Sequence, residues 1–216
     1  AQTQDQTQQA QPAAQLSPGQ LSVQERIRAR REQRRQQAIQ ATYSNRYELF
    51  VGSGYLRFQP GPHLQRVTLY SWDVGLTRYM NQRLGITVDG RGYYGTPFVG
   101  LNITSVTRPA ISQYDALAGP VYRIMLRPRY SISGRVMGGY AHGNFSGNTN
   151  GFGTQILGLY PDGNTYAVSG SIIGEANLSP NFSLRLAGEN FTTGFGSEVQ
   201  NSNGFTYGFV FRFGKQ

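Results

Sequence analysis

The sequence predicts an all-β fold: an eight-stranded antiparallel up-and-down transmembrane β-barrel with an N-terminal helical extension. Three observations predict it. The segment GFTYGFVFRFGKQ, Gly204 to Gln216, carries an aromatic at every second position: Phe205, Tyr207, Phe209, Phe211 and Phe213. Side chains of a strand alternate between two faces, so this stripe makes one face oily while Thr206, Gly208, Val210 and Arg212 occupy the other. From Tyr47 onward the chain divides into eight segments, each long enough for the about 9 to 11 residues that a tilted strand needs to cross a bilayer. The links between them alternate short and long.

The chain has 216 residues, with 28 Gly, 14 Tyr and 12 Phe against 14% charged residues, a composition of strands and turns. It has no cysteine, which excludes disulfides, thiolate metal sites and a cysteine nucleophile. No apolar run approaches the roughly 18 residues of a membrane-crossing helix. The sequence starts at Ala1 without a charged-then-apolar leader, the pattern expected after signal-peptide removal.

Residues 1–21, rich in Gln, Ala and Thr, are too poor in large apolar groups to repay ordering and are expected to be a disordered tether. The stretch SVQERIRARREQRRQQAIQA opens with Ser22 and Glu25 at capping-box spacing and predicts a helix to about Ala41, within an Arg-rich helix and linker over 22–46. Its apolar side, Val23, Ile27, Ala38 and Ile39, is thin, and six arginines spread around the rest. A solvated spacer is the simplest expectation. Anionic headgroups, or a periplasmic or cell-wall partner for residues 22–41, are the alternatives; nucleic acid is not expected, because no aromatics interleave with the arginines.

The barrel is expected over 47–216, with strands at 47–58, 67–79, 84–94, 114–125, 129–142, 165–178, 182–193 and 204–213. MNQR, LRP and SPN are tight turns, whereas 59–66, 95–113, 143–164 and 194–203 are long. Short periplasmic turns and long outer loops follow this rhythm in membrane barrels.

Charge sets the phase of each strand, since Arg or Lys facing mid-bilayer lipid costs roughly 2 to 4 kcal/mol. The inward set is then Glu48, Asp73, Asp89, Arg91, Asp115, Arg123, Arg135, Glu175, Arg185, Glu189 and Arg212. These are expected to form a paired charge network that plugs a lumen too narrow for solutes. The same phasing gathers outward aromatics into two interface bands. Tyr55, Tyr70, Tyr94, Tyr114, Tyr140, Tyr166 and Phe205 lie near the long loops, and Tyr47, Tyr130, Phe182 and Phe213, with Tyr122 and Phe211, near the short turns.

On these residues the chain resembles the OmpA-like eight-stranded outer-membrane barrels over 47–213. The resemblance implies a bacterial outer-membrane location with a periplasmic N-terminus, and outer-membrane lipids as surroundings. It also implies an assembly signal in Phe205, Tyr207, Phe209, Phe211 and Phe213, read by the outer-membrane assembly machinery. Here Gly214, Lys215 and Gln216 follow Phe213, where that family ends on the aromatic.

No catalytic, cofactor-binding or metal-binding residues are singled out. His63 and His142 are the two histidines; His142 is read as the start of the third long loop, four residues before Ser146. The long loops mix Gly, Asn and Ser with Phe, Tyr and Leu, which suits mobile binding surfaces or, more simply, solvated links. Arg46, Arg78, Arg83, Arg127, Arg129 and Lys215 gather at the short-turn side, as for anionic headgroups. The expected function is non-enzymatic: a structural, envelope-anchoring or surface-contact role without a cofactor. A lipid-modifying enzyme and a narrow channel are the alternatives, followed by a soluble ligand-binding barrel.

Overall fold

The computed structural model describes residues 23–100, 102 and 104–215; the Gln-rich stretch 1–21 and Ser22 lie outside them. Helix α1 spans Val23–Tyr43. Its residues to Gln37 form one compact unit, and the chain from Ala38 onward forms another. Good helix formers carry α1 across this junction. Its last turn is closed by Thr42 Oγ1 donating to the Ala38 carbonyl at 2.8 Å and Ser44 N to Gln40 O at 2.9 Å.

Eight strands follow: β1 (Asn45–Phe58), β2 (Val67–Tyr79), β3 (Leu84–Gly95), β4 (Ala110–Leu126), β5 (Tyr130–Gly147), β6 (Gly163–Ser179), β7 (Phe182–Thr193) and β8 (Gln200–Lys215). Each pairs antiparallel with the next, and β8 returns to β1, so the sheet closes into a barrel with every strand doubly paired. Closure removes the unpaired backbone edge that an open sheet would expose.

The short turns are made by local chemistry. Between β2 and β3, Asn81 Oδ1 accepts from the backbone of Arg83 at 2.9 Å and Leu84 at 2.7 Å. This is the Asx-type mimicry that favours Asn in turns. Pro128 and Pro180 sit in the other two, where fixed φ suits a bend and no ladder hydrogen bond is lost. Inside the barrel Gly75 is required for space, because a Cβ there would run into the Asp89 carboxylate.

Several boundaries differ from those read in the sequence. Only Ser44 separates α1 from β1, because the helix runs on to Tyr43 and Asn45 and Arg46 already belong to the strand. At the long-loop side β4 begins four residues earlier, at Ala110, and β5 continues to Gly147. β6 begins at Gly163 and β8 at Gln200. The extensions are paired: Ala110 with Gly147, Ser112 with Asn144, His142 with Asn164 and Thr193 with Gln200. Glycine and small polar residues blur the apolar alternation there, but the ladder needs only the backbone.

The core lies inside the barrel. Polar and charged residues fill the part near the short turns and the middle. Above them an apolar cluster of Leu56, Phe58, Leu69, Tyr93, Leu117, Met137 and Phe191 continues into the long loops through Val106, Phe145, Leu157, Tyr160 and Phe195.

Candidate functional site

The short-turn mouth is filled by Tyr43, fully buried at 0% exposure. Its hydroxyl donates to the Arg127 carbonyl at 2.9 Å and accepts from Asn177 Nδ2 at 2.7 Å. The Arg123 guanidinium lies between two rings, 4.9 Å from the Tyr43 centroid and 3.5 Å from that of Tyr79. The last turn of α1 thus becomes part of the barrel interior, using both the apolar body and the polar tip of a tyrosine.

All eleven charged residues singled out in the sequence are buried, and they gather in two groups. Nearest the short turns, Glu48 meets three guanidiniums: Arg123, Arg212 (Nε at 2.6 Å) and Arg185 (Nη2 at 3.0 Å). Glu175 takes Arg185 at 2.5 Å and Arg212 at 2.6 Å. Higher up, Arg91 reaches across from β3 to Glu189 on β7 with Nη1 at 2.8 and 3.0 Å from the two carboxylate oxygens. Its Nη2 lies 3.1 Å from Asp89, which also takes Arg135 at 2.6 Å. Asp73 is held more loosely: Arg91 Nε stands 3.5 Å away and neither carboxylate oxygen accepts a hydrogen bond. Asp115 accepts from Gln113 Nε2 at 2.9 Å, with no ion pair among the described residues. Acids and guanidiniums face one another because isolated charge would be costly in so dry a space.

The long loops are not the solvated links that their composition suggested. Phe145 packs against Phe195 with centroids 5.2 Å apart and against Phe58 at 6.1 Å, uniting β5, β1 and the link after β7. Tyr160 N donates to Pro60 O at 3.0 Å, joining the third long loop to the first, and its hydroxyl donates to Glu198 in the fourth at 3.3 Å. Burial, and then the Glu198 carboxylate, push the Tyr160 phenol up to about 12. A short 3-10 turn, Thr154–Leu157, is closed by Gly158 at φ 72°, which a side chain would strain. Together these loops make a folded roof. Phe98, Phe152, Ile156 and Val199 project from it, each at least 41% exposed. Sequence reasoning missed the roof because loop apolars follow no period; their density, Phe145 to Tyr160 and Phe195, was the available signal.

The outer wall is apolar. Val51, Trp72, Val74, Leu76, Ile86, Val88, Ile124, Val136, Ile172, Leu186 and Phe209 are exposed, whereas the alternate positions are buried. Among the described residues no Asp, Glu, Lys or Arg faces outward between the two aromatic bands; Arg46, Arg57 and Arg78 stand at strand ends. Tyr55, Tyr70, Tyr94, Tyr114, Tyr130, Tyr140, Tyr166 and Phe213 are exposed, and Tyr47, Phe182 and Phe205 partly so. Tyr55 is register partner to both Tyr70 and Phe205, Tyr70 to Tyr94, and Tyr140 to Tyr166. Near the short turns Tyr47 stacks on Phe213 at 5.6 Å and Phe182 meets Phe211 at 5.1 Å.

With this geometry in view, comparison with solved structures decides the fold. The attachment invasion locus protein Ail of Yersinia pestis, in complex with the heparin analogue sucrose octasulfate, superposes with a TM-score of 0.51 at 15% identity, over 79% of this chain and 99% of that one. Neisserial surface protein A, NspA, gives 0.54 at 13% identity, over 77% and 97%. The outer membrane protein OprG of Pseudomonas aeruginosa gives 0.54 at 10% identity, over 81% and 98%. The chain has the fold of the eight-stranded outer-membrane barrels. No protein-family model matches it, and no curated protein matches its sequence.

In this outer-membrane-type barrel the histidines are placed apart from one another. His63 is exposed in the link between β1 and β2. His142 does not open a loop: it is an exposed residue within β5, its Nδ1 2.6 Å from Asn164 Oδ1 on β6. Ser146 donates instead to Asp162 Oδ2 at 2.5 Å.

Proposed function

We propose that this chain is a non-enzymatic bacterial outer-membrane barrel of the OmpA-like kind, with a structural, envelope-anchoring or surface-contact role. One observation carries the reading: between the aromatic bands the charged side chains of the barrel are inside, and the wall outside is apolar. A soluble barrel would have no reason to present so much oily surface to water, whereas a bilayer rewards it. The aromatic bands are then the two interfaces, and the alternating aromatics of β8 are the segment offered to the assembly machinery.

The lumen is plugged. Tyr43 below, two ion-paired layers in the middle and an apolar cluster above leave the interior occupied along its length, as suits a barrel of eight strands. The short turns and the N-terminal helix face the periplasm and the roof faces outward. The Arg-rich residues 22–41 meet a periplasmic or cell-wall partner, or anionic headgroups. The exposed apolar tips of a folded roof suit contact with another surface better than solvation does. Ail and NspA are by their names an attachment protein and a surface protein, which favours the same reading. The lipid-modifying alternative calls for a histidine beside a serine and a carboxylate, and the pairings of His142 with Asn164 and of Ser146 with Asp162 speak against it at that place.

A protease site inserted at Gly151 on the third long loop should be cleaved in intact cells, and one inserted ahead of Val23 only after the outer membrane is opened. The reverse pattern would refute the orientation. In planar bilayers the purified chain should give no discrete conductance steps; steady steps would favour a channel.

A further inference from the structure

The outer wall is not uniformly rough. A trough of about 770 Å³ crosses it, lined almost wholly by apolar atoms. Its course follows the register: Tyr130 on β5 is partner to Ala176, Ala176 to Leu184, Leu184 to Phe209 and Phe209 to Val51. Gly174 and Ala176 on β6 provide the depression, since a glycine and a methyl stand beside bulky neighbours. Four inter-strand steps of about 4.8 Å make the trough about 19 Å long.

Its slope is informative. Tyr130 is the first residue of β5, at the short-turn rim, whereas Val51 is the seventh of β1, half-way up its strand. The trough therefore climbs from rim to mid-wall. With strands tilted by about 45°, its vertical span is about 13 Å, close to the depth of one leaflet of a hydrocarbon core of about 30 Å. At the lower end the exposed Arg129 adjoins Tyr130.

From this course we propose that the trough is a binding site for one anionic phospholipid, one of its two acyl chains lying between Tyr130 and Val51 and its phosphate against Arg129. The inference rests on the outer-membrane reading and deepens it: boundary lipid touches any wall, but a groove of leaflet depth starting beside a cation selects one molecule in one pose. Polar rim, apolar climb and termination at the midplane match a phospholipid; a second barrel would have no use for the cation at one end.

The test is native mass spectrometry of the full chain released from detergent containing equal amounts of phosphatidylglycerol and phosphatidylethanolamine. The wild type should retain one phosphatidylglycerol. Ala176→Trp, which fills the trough, should reduce retention about tenfold. Val88→Trp, the same change on β3 away from the trough, should retain lipid like the wild type and control for folding. Arg129→Glu should still retain lipid but lose the preference for phosphatidylglycerol. Equal retention by the two tryptophan variants would overturn the site, and an unchanged preference in Arg129→Glu would overturn the headgroup assignment. A dimer lost only in Ala176→Trp would overturn the lipid in favour of a second copy. A wild-type chain that stays folded and monomeric without detergent would instead bring down the membrane reading itself.

Discussion

Arg212 on β8 donates from Nε to Glu48 Oε1 on β1 at 2.6 Å, and the two are also register partners across the seam that closes the barrel. The strand that ends the barrel is thus fastened to the one that begins it by charge as well as by backbone. Arg123 and Arg185 converge on the same carboxylate from β4 and β7, so Glu48 ties four strands through one side chain.

Replacing Glu48 by Ala strips Arg123 of its carboxylate and leaves Arg185 and Arg212 to share Glu175 alone in a dry interior. The expected loss is about 3 to 5 kcal/mol, the cost of breaking a buried ionic group by removing one partner. Urea unfolding in lipid vesicles measures it; a loss within about 0.5 kcal/mol would mean that the network carries no stability.

Tyr43 separates packing from hydrogen bonding. Tyr43→Phe keeps the ring between the short turns and loses only the hydroxyl's bonds to Arg127, Tyr130 and Asn177, an expected cost of about 1 kcal/mol. Tyr43→Ala removes the stopper and should cost about 3 to 5 kcal/mol. The same unfolding series reads both, and equal effects would show that the ring contributes nothing.

The wall can be tested by placing one charge on it and one away from it. Val88→Arg turns a guanidinium outward and should cost roughly 2 to 4 kcal/mol of insertion into vesicles. Val23→Arg, on the helix outside the barrel unit, should leave insertion unchanged. Comparable insertion of Val88→Arg would argue that water, not acyl chains, wets the barrel.

The roof should be alkali-sensitive through Tyr160. Its folded phenol is held up to about 12, against an ordinary value of 10.0, by burial and by Glu198. The unfolded chain ionises first, so the stabilisation is complete below about pH 10 and is lost as pH rises towards about 12. Proteolysis of the third long loop should accelerate over that window in the wild type, and less so in Tyr160→Phe.

The barrel was legible because a strand that is oily outside and charged inside writes its phase in the sequence. Asp89 and Arg91 on β3, or Arg185 and Glu189 on β7, left one choice of face. The helix was legible from its formers, and the fold from the rhythm of the links. The upper ends of β4, β5, β6 and β8 were not, because His142, Asn144 and Ser146 point outward in a pattern no different from a polar loop. Tyr43 was hidden for another reason: nothing in a helix's last residues tells where a tyrosine will be inserted. Nor could spacing reveal that Arg91 would choose Glu189 on a distant strand over the nearer Asp115, a choice made by three-dimensional reach.

β5 has 18 residues and β4 and β6 have 17 each, whereas β3 and β7 have 12. At about 3.3 Å per residue and a tilt of about 45°, the longest climbs about 42 Å and the shortest about 28 Å. In a bilayer the short flanks would stop near the headgroups, while the β5–β6 hairpin would stand above them as a one-sided parapet with Phe152 and Ile156 in the loop at its crest. An approaching surface would meet that crest first, so encounters with this protein would have a preferred side.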